Sequence, residues 1–273
     1  MFECKDQLGR NVVLREYPPK RIISLVPSQT ELLYDLGLNE ETIGITKFCV
    51  HPEHWFRNKE RVGGTKKVNI EKVKELKPDL ILANKEENVK EQIEQLEQIA
   101  PIWISDIHTF EDALQMIKSI GEITGTTEKA ASLITRINMN FNELQTTNYA
   151  EGIPSGQTCY LIWRNPYMTI GGDTFINNML YNCGLQNVFE HLKRYPEISI
   201  EELSSANPQL ILLSSEPYPF KEKHVEELKP HIPNAKIILV DGEMFSWYGS
   251  RLLHVADYFN NLMEQLRRLK FEM

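Results

Sequence analysis

A six-residue stretch, C-V-H-P-E-H from Cys49 to His54, gathers a thiol, two imidazoles and a carboxylate. These groups bind metal ions, and a thiol beside an imidazole can also act as a nucleophile. One short loop cannot easily close a tetrahedral site without ligands from elsewhere, so we predict no metal centre. We interpret His51 instead as a single imidazole that points into a cleft, and His54 as part of an ordinary surface loop.

Three predicted strands in the second half each end in a loop with aromatic rings and a charge. The loops are W-R-N-P-Y-M (163–168), S-S-E-P-Y-P-F (214–220) and D-G-E-M-F-S-W-Y-G-S-R (241–251). Their charged side chains include Arg164, Glu216 and Arg251. Because the carboxyl ends of parallel strands share one sheet edge, these residues are expected to line one pocket. Such a pocket suits a large, flat, partly apolar ligand; the alternative is that the rings pack their own loops.

The stretch V-P-S-Q-T-E (26–31) ends a predicted strand and opens a helix. Ser28 and Glu31 have the spacing of a capping box. Strand ends that meet helix N-termini often bind ligands in α/β proteins, although a plain strand–helix turn would look the same. The glycine turns G-G-T-K (63–66) and G-G-D-T (171–174) match neither nucleotide-binding signature, and the sequence holds no hydrolase, metalloprotease or kinase motif.

Short apolar runs alternate with helical patterns along the whole chain, which predicts parallel α/β sheets covered on both faces. The predicted strands are 21–26, 42–46, 79–83, 101–105, 158–163, 209–214 and 236–240. Between the two groups, residues 126–145 show helical spacing of apolar side chains. Gly152, Pro154 and Gly156 then mark a boundary.

We therefore predict an α/β fold of two Rossmann-like lobes with parallel-strand-rich sheets, joined by one long helix, with a ligand cleft between the lobes. The predicted N-terminal lobe is 1–125, the connecting helix 126–148 and the C-terminal lobe 149–273. An internal repeat supports two related lobes, because N-I-E-K-V-K-E-L-K-P-D-L-I-L-A-N (69–84) and S-I-E-E-L-S-S-A-N-P-Q-L-I-L-L-S (199–214) align at a constant offset. Each reads as a cap, a helix, a proline stop and a strand, with Asn69 and Ser199 as caps.

The composition narrows the function classes. The 273 residues carry a net charge of −8 without a long basic run, which argues against nucleic acid binding. No apolar run is long enough to span a bilayer, so we expect no membrane insertion. The first residues lack the apolar core of a signal peptide, which favours the cytoplasm, or the periplasm if a signal has been removed. The four cysteines show no C-x-x-C spacing and are expected to be reduced, mostly buried thiols.

At R-I-I-S-L-V-P-S-Q-T-E-L-L-Y-D-L-G-L (21–38) the sequence resembles the cobalamin- and ferric-siderophore-binding proteins of ABC importers, the helical-backbone group. The repeat segment 69–84 and R-Y-P-E-I-S-I-E-E-L (194–203) resemble the vitamin B12-binding branch, and the likeness covers nearly the whole chain. The resemblance implies a substrate-binding component that binds cobalamin, haem or a ferric siderophore without chemistry, with no intrinsic cofactor. We expect a monomer.

The resemblance also assigns roles to single positions. The family's two glutamates that dock to permease arginines fall on Glu71 and Glu201, although an acidic residue in a first helical turn also stabilises the helix dipole. An aromatic residue of the family's cleft falls on Tyr195. Lys66 and Asn84 stand where the cobalamin binder carries tryptophans, which favours a different or more anionic ligand.

Together these arguments predict a set of ligand-binding residues that line the cleft. They are Phe48, His51, Lys66, Trp163, Arg164, Tyr167, Tyr195, Glu216, Tyr218, Phe245, Trp247, Tyr248 and Arg251. Two alternatives stay open. A cytoplasmic enzyme could use the same cleft on a corrinoid or metal chelate through Cys49, His51, Glu216 and Arg251. A regulatory module could bind another protein through Glu71 and Glu201.

Overall fold

The structure is a computed structural model that describes residues 1–150 and 156–268. The chain divides into two compact units. Unit 1 contains Met1–Ile107, Glu111–Arg136 and Trp247–Arg251, and unit 2 contains His108–Phe110, Ile137–Ser246 and the chain from Leu252 onward. These units depart from the predicted boundaries mainly because a short piece of the C-terminal half, Trp247–Arg251, groups with unit 1.

Unit 1 is built around a five-stranded parallel sheet with the strand order β5–β4–β3–β6–β7. An antiparallel hairpin, β1–β2, precedes it. The strands are β1 Phe2–Lys5, β2 Asn11–Leu14, β3 Ile22–Ser24, β4 Thr42–Ile45, β5 Glu60–Arg61, β6 Leu80–Asn84 and β7 Ile102–Ser105. The helices are α1 Pro27–Asp35, α2 Glu53–Asn58, α3 Ile70–Leu76, α4 Lys90–Leu96, α5 Phe110–Ile123 and α6 Thr127–Ala150, which continues into unit 2.

Unit 2 repeats this plan with a four-stranded parallel sheet in the order β10–β8–β12–β13 and a small antiparallel pair, β9–β11. Its strands are β8 Gly156–Leu161, β9 Tyr167–Met168, β10 Leu185–Asn187, β11 Glu197–Ile198, β12 Leu210–Ser214 and β13 Lys236–Val240. Its helices are α7 Phe175–Asn182, α8 Ile200–Ser205, α9 Glu222–Leu228, α10 Glu243–Ser246 and α11 Leu252–Arg268.

All seven strands predicted from apolar runs are present, and each belongs to one of the two parallel sheets. The central strands β6 and β12 are buried along their whole length, as parallel strands with helices on both faces should be. Each unit has its own apolar core, in which Ile23 and Ile81 are fully buried in unit 1 and Cys159 and Ile211 in unit 2. The predicted α/β fold with two parallel sheets is therefore confirmed.

The internal repeat is also structural. The helix–strand pair α3–β6 of unit 1 corresponds to α8–β12 of unit 2, and each strand occupies the same place in its sheet. Lys77 and Asn207 lie 130 residues apart between helix and strand, and both adopt left-handed backbone conformations, with φ of 46° and 45°. The chain therefore turns from helix to strand in the same way twice.

Side-chain caps begin both repeat helices, as predicted. The Asn69 side chain accepts a hydrogen bond from the Lys72 N–H, and Ser199 forms a reciprocal capping box with Glu202. The capping box predicted for Ser28 is wrong. The N-cap of α1 is Val26, Pro27 occupies the first turn, and Ser28 already lies inside the helix. Proline is well suited to that position because it has no N–H to satisfy.

The predicted connecting helix is α6, whose 24 residues carry the chain from unit 1 to unit 2. Of its apolar positions, Ala130, Leu133, Ile137, Phe141 and Leu144 are buried, as their spacing predicted, and Ile134 is half-buried. Gly152 and Pro154 of the predicted boundary lie outside the described residues, and Gly156 begins β8.

The cysteines are free thiols, as predicted. Cys49, Cys159 and Cys183 are buried, and Cys4 is half-buried. Among the described residues, no helix combines the length and the apolar character that crossing a membrane requires.

Candidate functional site

The segment Trp247–Arg251 packs among side chains of unit 1. The Trp247 indole meets the imidazole of half-buried His51 edge-on, with ring centroids 5.5 Å apart, and the Arg251 guanidinium lies 4.9 Å from the same indole. Gly249 adopts a φ of 111°, and a Cβ there would lie 3.1 Å from the Ser28 carbonyl oxygen. Glycine therefore lets this segment turn closely against the start of α1.

Arg251 has a carboxylate partner. Its Nε and Nη2 donate to the two oxygens of Glu31 at 3.0 and 2.8 Å, and the Arg251 side chain is only 10% exposed. Burial raises the pKa of the Glu31 carboxyl, while the Arg251 charge and hydrogen bonds oppose that rise. Arg251 was predicted to anchor an anionic ligand, but a bidentate pair with a protein carboxylate already uses its planar donor face.

Tyr248 is buried next to this pair, and its hydroxyl donates to Glu87 at 3.0 Å. Burial, together with the nearby Glu87, raises its pKa well above the ordinary value. Trp247 and Tyr248 are only 7% and 6% exposed. Both side chains therefore hold the segment Trp247–Arg251 in unit 1, and only a small part of each reaches the surface.

Cys49 lies in the same unit and is the thiol on which the enzyme alternative depends. It is fully buried and bonded to the hydroxyls of Thr30 and Thr46 at 3.0 and 3.2 Å. Burial raises the pKa of this thiol to about 11. A protonated, buried thiol is a poor nucleophile, so this arrangement suits a structural cysteine.

Unit 1 also presents two predicted ligand contacts at its surface. Phe48 follows β4 and is 50% exposed, with the Lys47 ammonium 5.0 Å from its ring centroid. Lys66 is exposed on the glycine turn, and its ammonium donates to the Glu86 carbonyl. Asn84 is buried instead, and its side chain accepts from the N–H groups of Glu86 and Glu87, so it supports the loop after β6.

In unit 2, the structure brings two predicted aromatic residues together. Trp163 follows β8 and is 40% exposed, and its ring meets Tyr218, which follows the neighbouring strand β12, edge-on at 5.7 Å. Tyr218 packs in turn on Phe220 and on His224, whose Nε2 lies 3.2 Å from the Tyr218 hydroxyl. Adjacent parallel strands thus bring an exposed ring against a half-buried one, which in turn rests on buried Phe220 and His224.

Arg164 and Tyr167, beside Trp163, converge on a carboxylate of α9. Arg164 donates to both oxygens of Glu227 at 2.7–3.0 Å, and the Tyr167 hydroxyl donates to the same group at 2.9 Å. Although burial alone would raise it, these hydrogen bonds lower the pKa of Glu227. Burial and the bond to Glu227 raise the pKa of Tyr167 to about 12.

Two further predicted residues of unit 2 are half-buried. The Arg194 guanidinium lies 5.6 Å from the ring centroid of Tyr195, and the Glu216 carboxylate accepts from the Ser246 hydroxyl at 2.7 Å. Phe245 has no exposed surface, because its ring packs on Phe259 and on Tyr160, at 4.9 and 5.2 Å. We therefore treat Phe245 as part of the core and leave it out of the ligand-binding set.

Sequence reasoning missed the two carboxylates that hold the arginines. Glu31 lies 220 residues from Arg251, and Glu227 lies 63 residues from Arg164. No local pattern links either pair, and Glu31 was assigned to a helix cap.

Glu71 and Glu201 are both exposed in the first turns of α3 and α8. The repeat makes them equivalent, because each stands two residues after a side-chain cap and precedes a central strand. Among the described residues, no group of three histidine, cysteine or acidic side chains is arranged to hold a metal ion. The chemistry that these surfaces offer is therefore contact by aromatic rings, cations and carboxylates.

Comparison with known proteins agrees with this description. The family model described as periplasmic binding protein matches residues 22–233. This chain belongs to that family. A vitamin B12-binding protein of Photorhabdus laumondii is 30% identical over 242 residues, which cover 88% of this chain and 86% of that protein.

Solved periplasmic binding proteins share the fold. The vitamin B12 binding protein BtuF of Vibrio cholerae matches with a TM-score of 0.77 and 23% identity over 92% of this chain and 98% of that one. The molybdate-bound protein MolA of a Haemophilus influenzae ABC transporter has a TM-score of 0.81 and 18% identity, covering 100% and 93%. A corrinoid and a small oxyanion differ greatly in size, so this fold alone does not select the ligand.

Proposed function

We propose that this member of the periplasmic binding protein family binds a corrinoid, haem or ferric siderophore and delivers it to an ABC permease without changing it. Family membership supports a binding role, and the B12-binding relative supports a large ligand. The family's description also favours the periplasmic one of the two expected locations.

The observation that carries the ligand class is the exposed indole of Trp163, supported edge-on by Tyr218. An exposed ring held by a half-buried neighbour offers a preorganised flat surface, which suits a planar macrocycle or a catechol-type chelate. A small oxyanion would instead need converging hydrogen-bond donors. On unit 1, exposed Phe48 and Lys66 add an apolar ring and an ammonium, which favours a ligand with acidic side groups.

A titration tests the ligand class. We expect the purified protein to bind cyanocobalamin, hemin or a ferric catecholate siderophore with quenching of tryptophan fluorescence, whereas molybdate gives no response. Trp163→Ala should weaken that binding by about one to two decades, because truncation of an aromatic hot spot typically costs a few kcal/mol. Tyr181→Ala is the matched control, since Tyr181 is 73% exposed but lies on α7.

An unchanged affinity in Trp163→Ala would contradict the aromatic site. Tight binding of molybdate alone would contradict the ligand class while leaving the binding role intact. The absorption spectrum of protein purified without added ligand gives a second readout, because a retained corrinoid or haem is coloured.

The docking role rests on the equivalence of Glu71 and Glu201. Two exposed carboxylates at corresponding places of two related units suit a permease with two matching arginines. The double variant Glu71→Gln and Glu201→Gln should lose association with the cognate permease but keep ligand binding. Glu91→Gln with Glu222→Gln is the matched control, because both residues are exposed in first turns of the next helices, α4 and α9. Unchanged association of the first variant would remove the docking role.

A further inference from the structure

One of the two edge strands of the unit 2 sheet is β13, Lys236–Val240. The Lys236 N–H and the Val240 carbonyl both bond to residues flanking β12, at 2.9 and 3.0 Å. Successive residues of a strand turn their backbone groups to opposite sides, so Ile237 and Leu239 turn theirs away from β12. Within residues 1–150 and 156–268, no hydrogen bond reaches these outward groups.

The strand β7 holds the same place in unit 1. Ile102 of β7 stands opposite Ile81, and Ile237 of β13 stands opposite Ile211, which is the repeat equivalent of Ile81. Each is the edge strand next to the strand of the repeat, which is β6 in unit 1 and β12 in unit 2. They are therefore two versions of one edge and can be compared residue by residue.

The edge at β7 is covered by the beginning of the chain. The outward carbonyls of Ile102 and Ile104 accept hydrogen bonds from the Arg10 guanidinium at 3.3 Å and the Gln7 N–H at 3.1 Å. The side chains of both isoleucines are at most 5% exposed. At β13 the equivalent of Ile104 is Leu239, which is 37% exposed. Among the residues that the structure describes, none hydrogen-bonds to the outward groups of β13 as Gln7 and Arg10 do to those of β7.

We propose that β13 is a self-association surface, on which a second copy of this chain places its own β13 antiparallel about a two-fold axis at Ile238. In this register Ile237 of one copy stands opposite Leu239 of the other, twice. These are the residues whose backbone groups point outward, so each pair exchanges both N–H···O bonds. Ile238 faces itself in a non-hydrogen-bonded pair, with Cα atoms about 4.5 Å apart.

The choice of a second copy follows from the symmetry of the strand. Apolar residues of similar size flank Ile238 on both sides, so the strand is complementary to itself when reversed. Pairing about a two-fold axis closes after two copies and leaves no further edge of this kind. Of the other edge strands of the two parallel sheets, β7 is covered, β5 has two charged residues, and β10 has three residues with an exposed glutamine at its centre, so they suit pairing less well.

Sedimentation velocity of the full chain over a range of concentrations tests the association. We expect a reversible dimer, because the pairing of two short strands buries a small area that is typical of weak complexes. Leu239→Pro should weaken it at least about tenfold. The Leu239 N–H points outward, so proline removes an intermolecular donor without breaking the bonds to β12. Leu239→Lys, a charge on the edge, should act in the same direction, and circular dichroism checks that both variants fold.

Cross-linking tests the register. In a Cys4→Ser background, which removes the half-buried native thiol, Ile238→Cys should form an intermolecular disulfide under mild oxidation. Leu239→Cys should not, because its two copies would be offset by about two residue rises of 3.4 Å, beyond disulfide reach. A monomer at all concentrations up to about 1 mM overturns the proposal, since Kd would then exceed that value. A dimer in which Leu239→Cys cross-links and Ile238→Cys does not also overturns it, and so does a dimer that both Leu239 variants leave intact.

Discussion

Two loops of similar composition differ in how deeply their side chains are buried. The loop after β8 holds a tryptophan, an arginine and a tyrosine within five residues, 163–167, and the segment 247–251 holds the same three residue types. Trp163 in unit 2 is 40% exposed, whereas Trp247 in unit 1 is 7% exposed. Both arginines form bidentate pairs with glutamate, but only that of unit 1 is buried. Residue types therefore indicate which contacts a loop can make, while burial decides whether those contacts serve stability or binding.

The tryptophans should show the largest contrast. Trp247→Ala is expected to lower the free energy of unfolding by about 3–5 kcal/mol, because it removes a large buried ring that packs on His51 and Arg251. Trp163→Ala should change it by less than about 1 kcal/mol, because that indole is already half in water. Urea unfolding followed by circular dichroism measures both. Trp247→Phe serves as the milder variant if the alanine variant does not fold, and equal effects at the two sites would break the comparison.

The second-largest difference in stability is expected between the two arginine variants, and it depends on pH. Arg251→Ala leaves Glu31 buried without its partner, which we expect to cost about 2–3 kcal/mol at pH 7. Arg164→Ala should cost less than about 1 kcal/mol, because the pair with Glu227 is far more exposed.

The sign of the pH effect follows from Glu31. Burial raises its pKa above the ordinary 4.5, and removal of Arg251 should raise it further. The folded variant then holds a proton that the unfolded chain releases, so its stability falls as pH rises from about 4.5 through the raised pKa. Arg251→Ala should therefore lose less stability at pH 4 than at pH 7. A loss that grows towards low pH would contradict this assignment.

The tyrosine hydroxyls should show a smaller contrast. Tyr248→Phe removes a buried hydrogen bond to Glu87 and should cost about 1–2 kcal/mol. Tyr167→Phe removes a half-exposed bond to Glu227, which Arg164 still holds, and should cost about 0.5 kcal/mol or less. Thermal unfolding of both variants at one pH is a sufficient measurement. A larger loss of stability in Tyr167→Phe than in Tyr248→Phe would mean that the bond to Glu87 does not hold the segment Trp247–Arg251 in place.

The smallest effect is spectroscopic and leaves stability unchanged. Trp55, Trp103 and Trp247 are at most 7% exposed, so Trp163 should supply most of the fluorescence that acrylamide quenches. Trp163→Phe should remove that quenchable component, and Trp55→Phe, at a buried position, is the control. A quenchable component that survives in Trp163→Phe would show that another indole is open to solvent.

Much of the fold was predictable because it depends on local patterns. Apolar runs such as 79–83 and 209–214 became the buried central strands, and Asn69 and Ser199 cap the helices before them. The predicted capping box at Ser28 was wrong because of a neighbouring residue, Pro27. Pro27 is favoured in a first helical turn, and the N-cap is Val26, two residues before the predicted cap Ser28.

The candidate site was less predictable. The rule that parallel strands deliver their loops to one edge correctly placed Trp163 beside Tyr218. It also placed residues 245–251 with them, yet Phe245 fills the core of unit 2 and Trp247–Arg251 packs in unit 1. The sequence of the loop does not state which unit it joins, because both destinations satisfy the same aromatic and charged side chains.

The sequence by itself determined the α/β class, the two parallel sheets, the repeated helix–strand unit and the connecting helix. These depend on periodicity, caps and turns, which act over a few residues. The tertiary structure alone decided that Glu31 and Glu227 pair with the arginines, that Phe245 is core and that, within the described part of the chain, β7 is covered while β13 is not. Each of these outcomes depends on groups far apart in the chain, whose meeting is set by packing and by the need to satisfy buried polar groups.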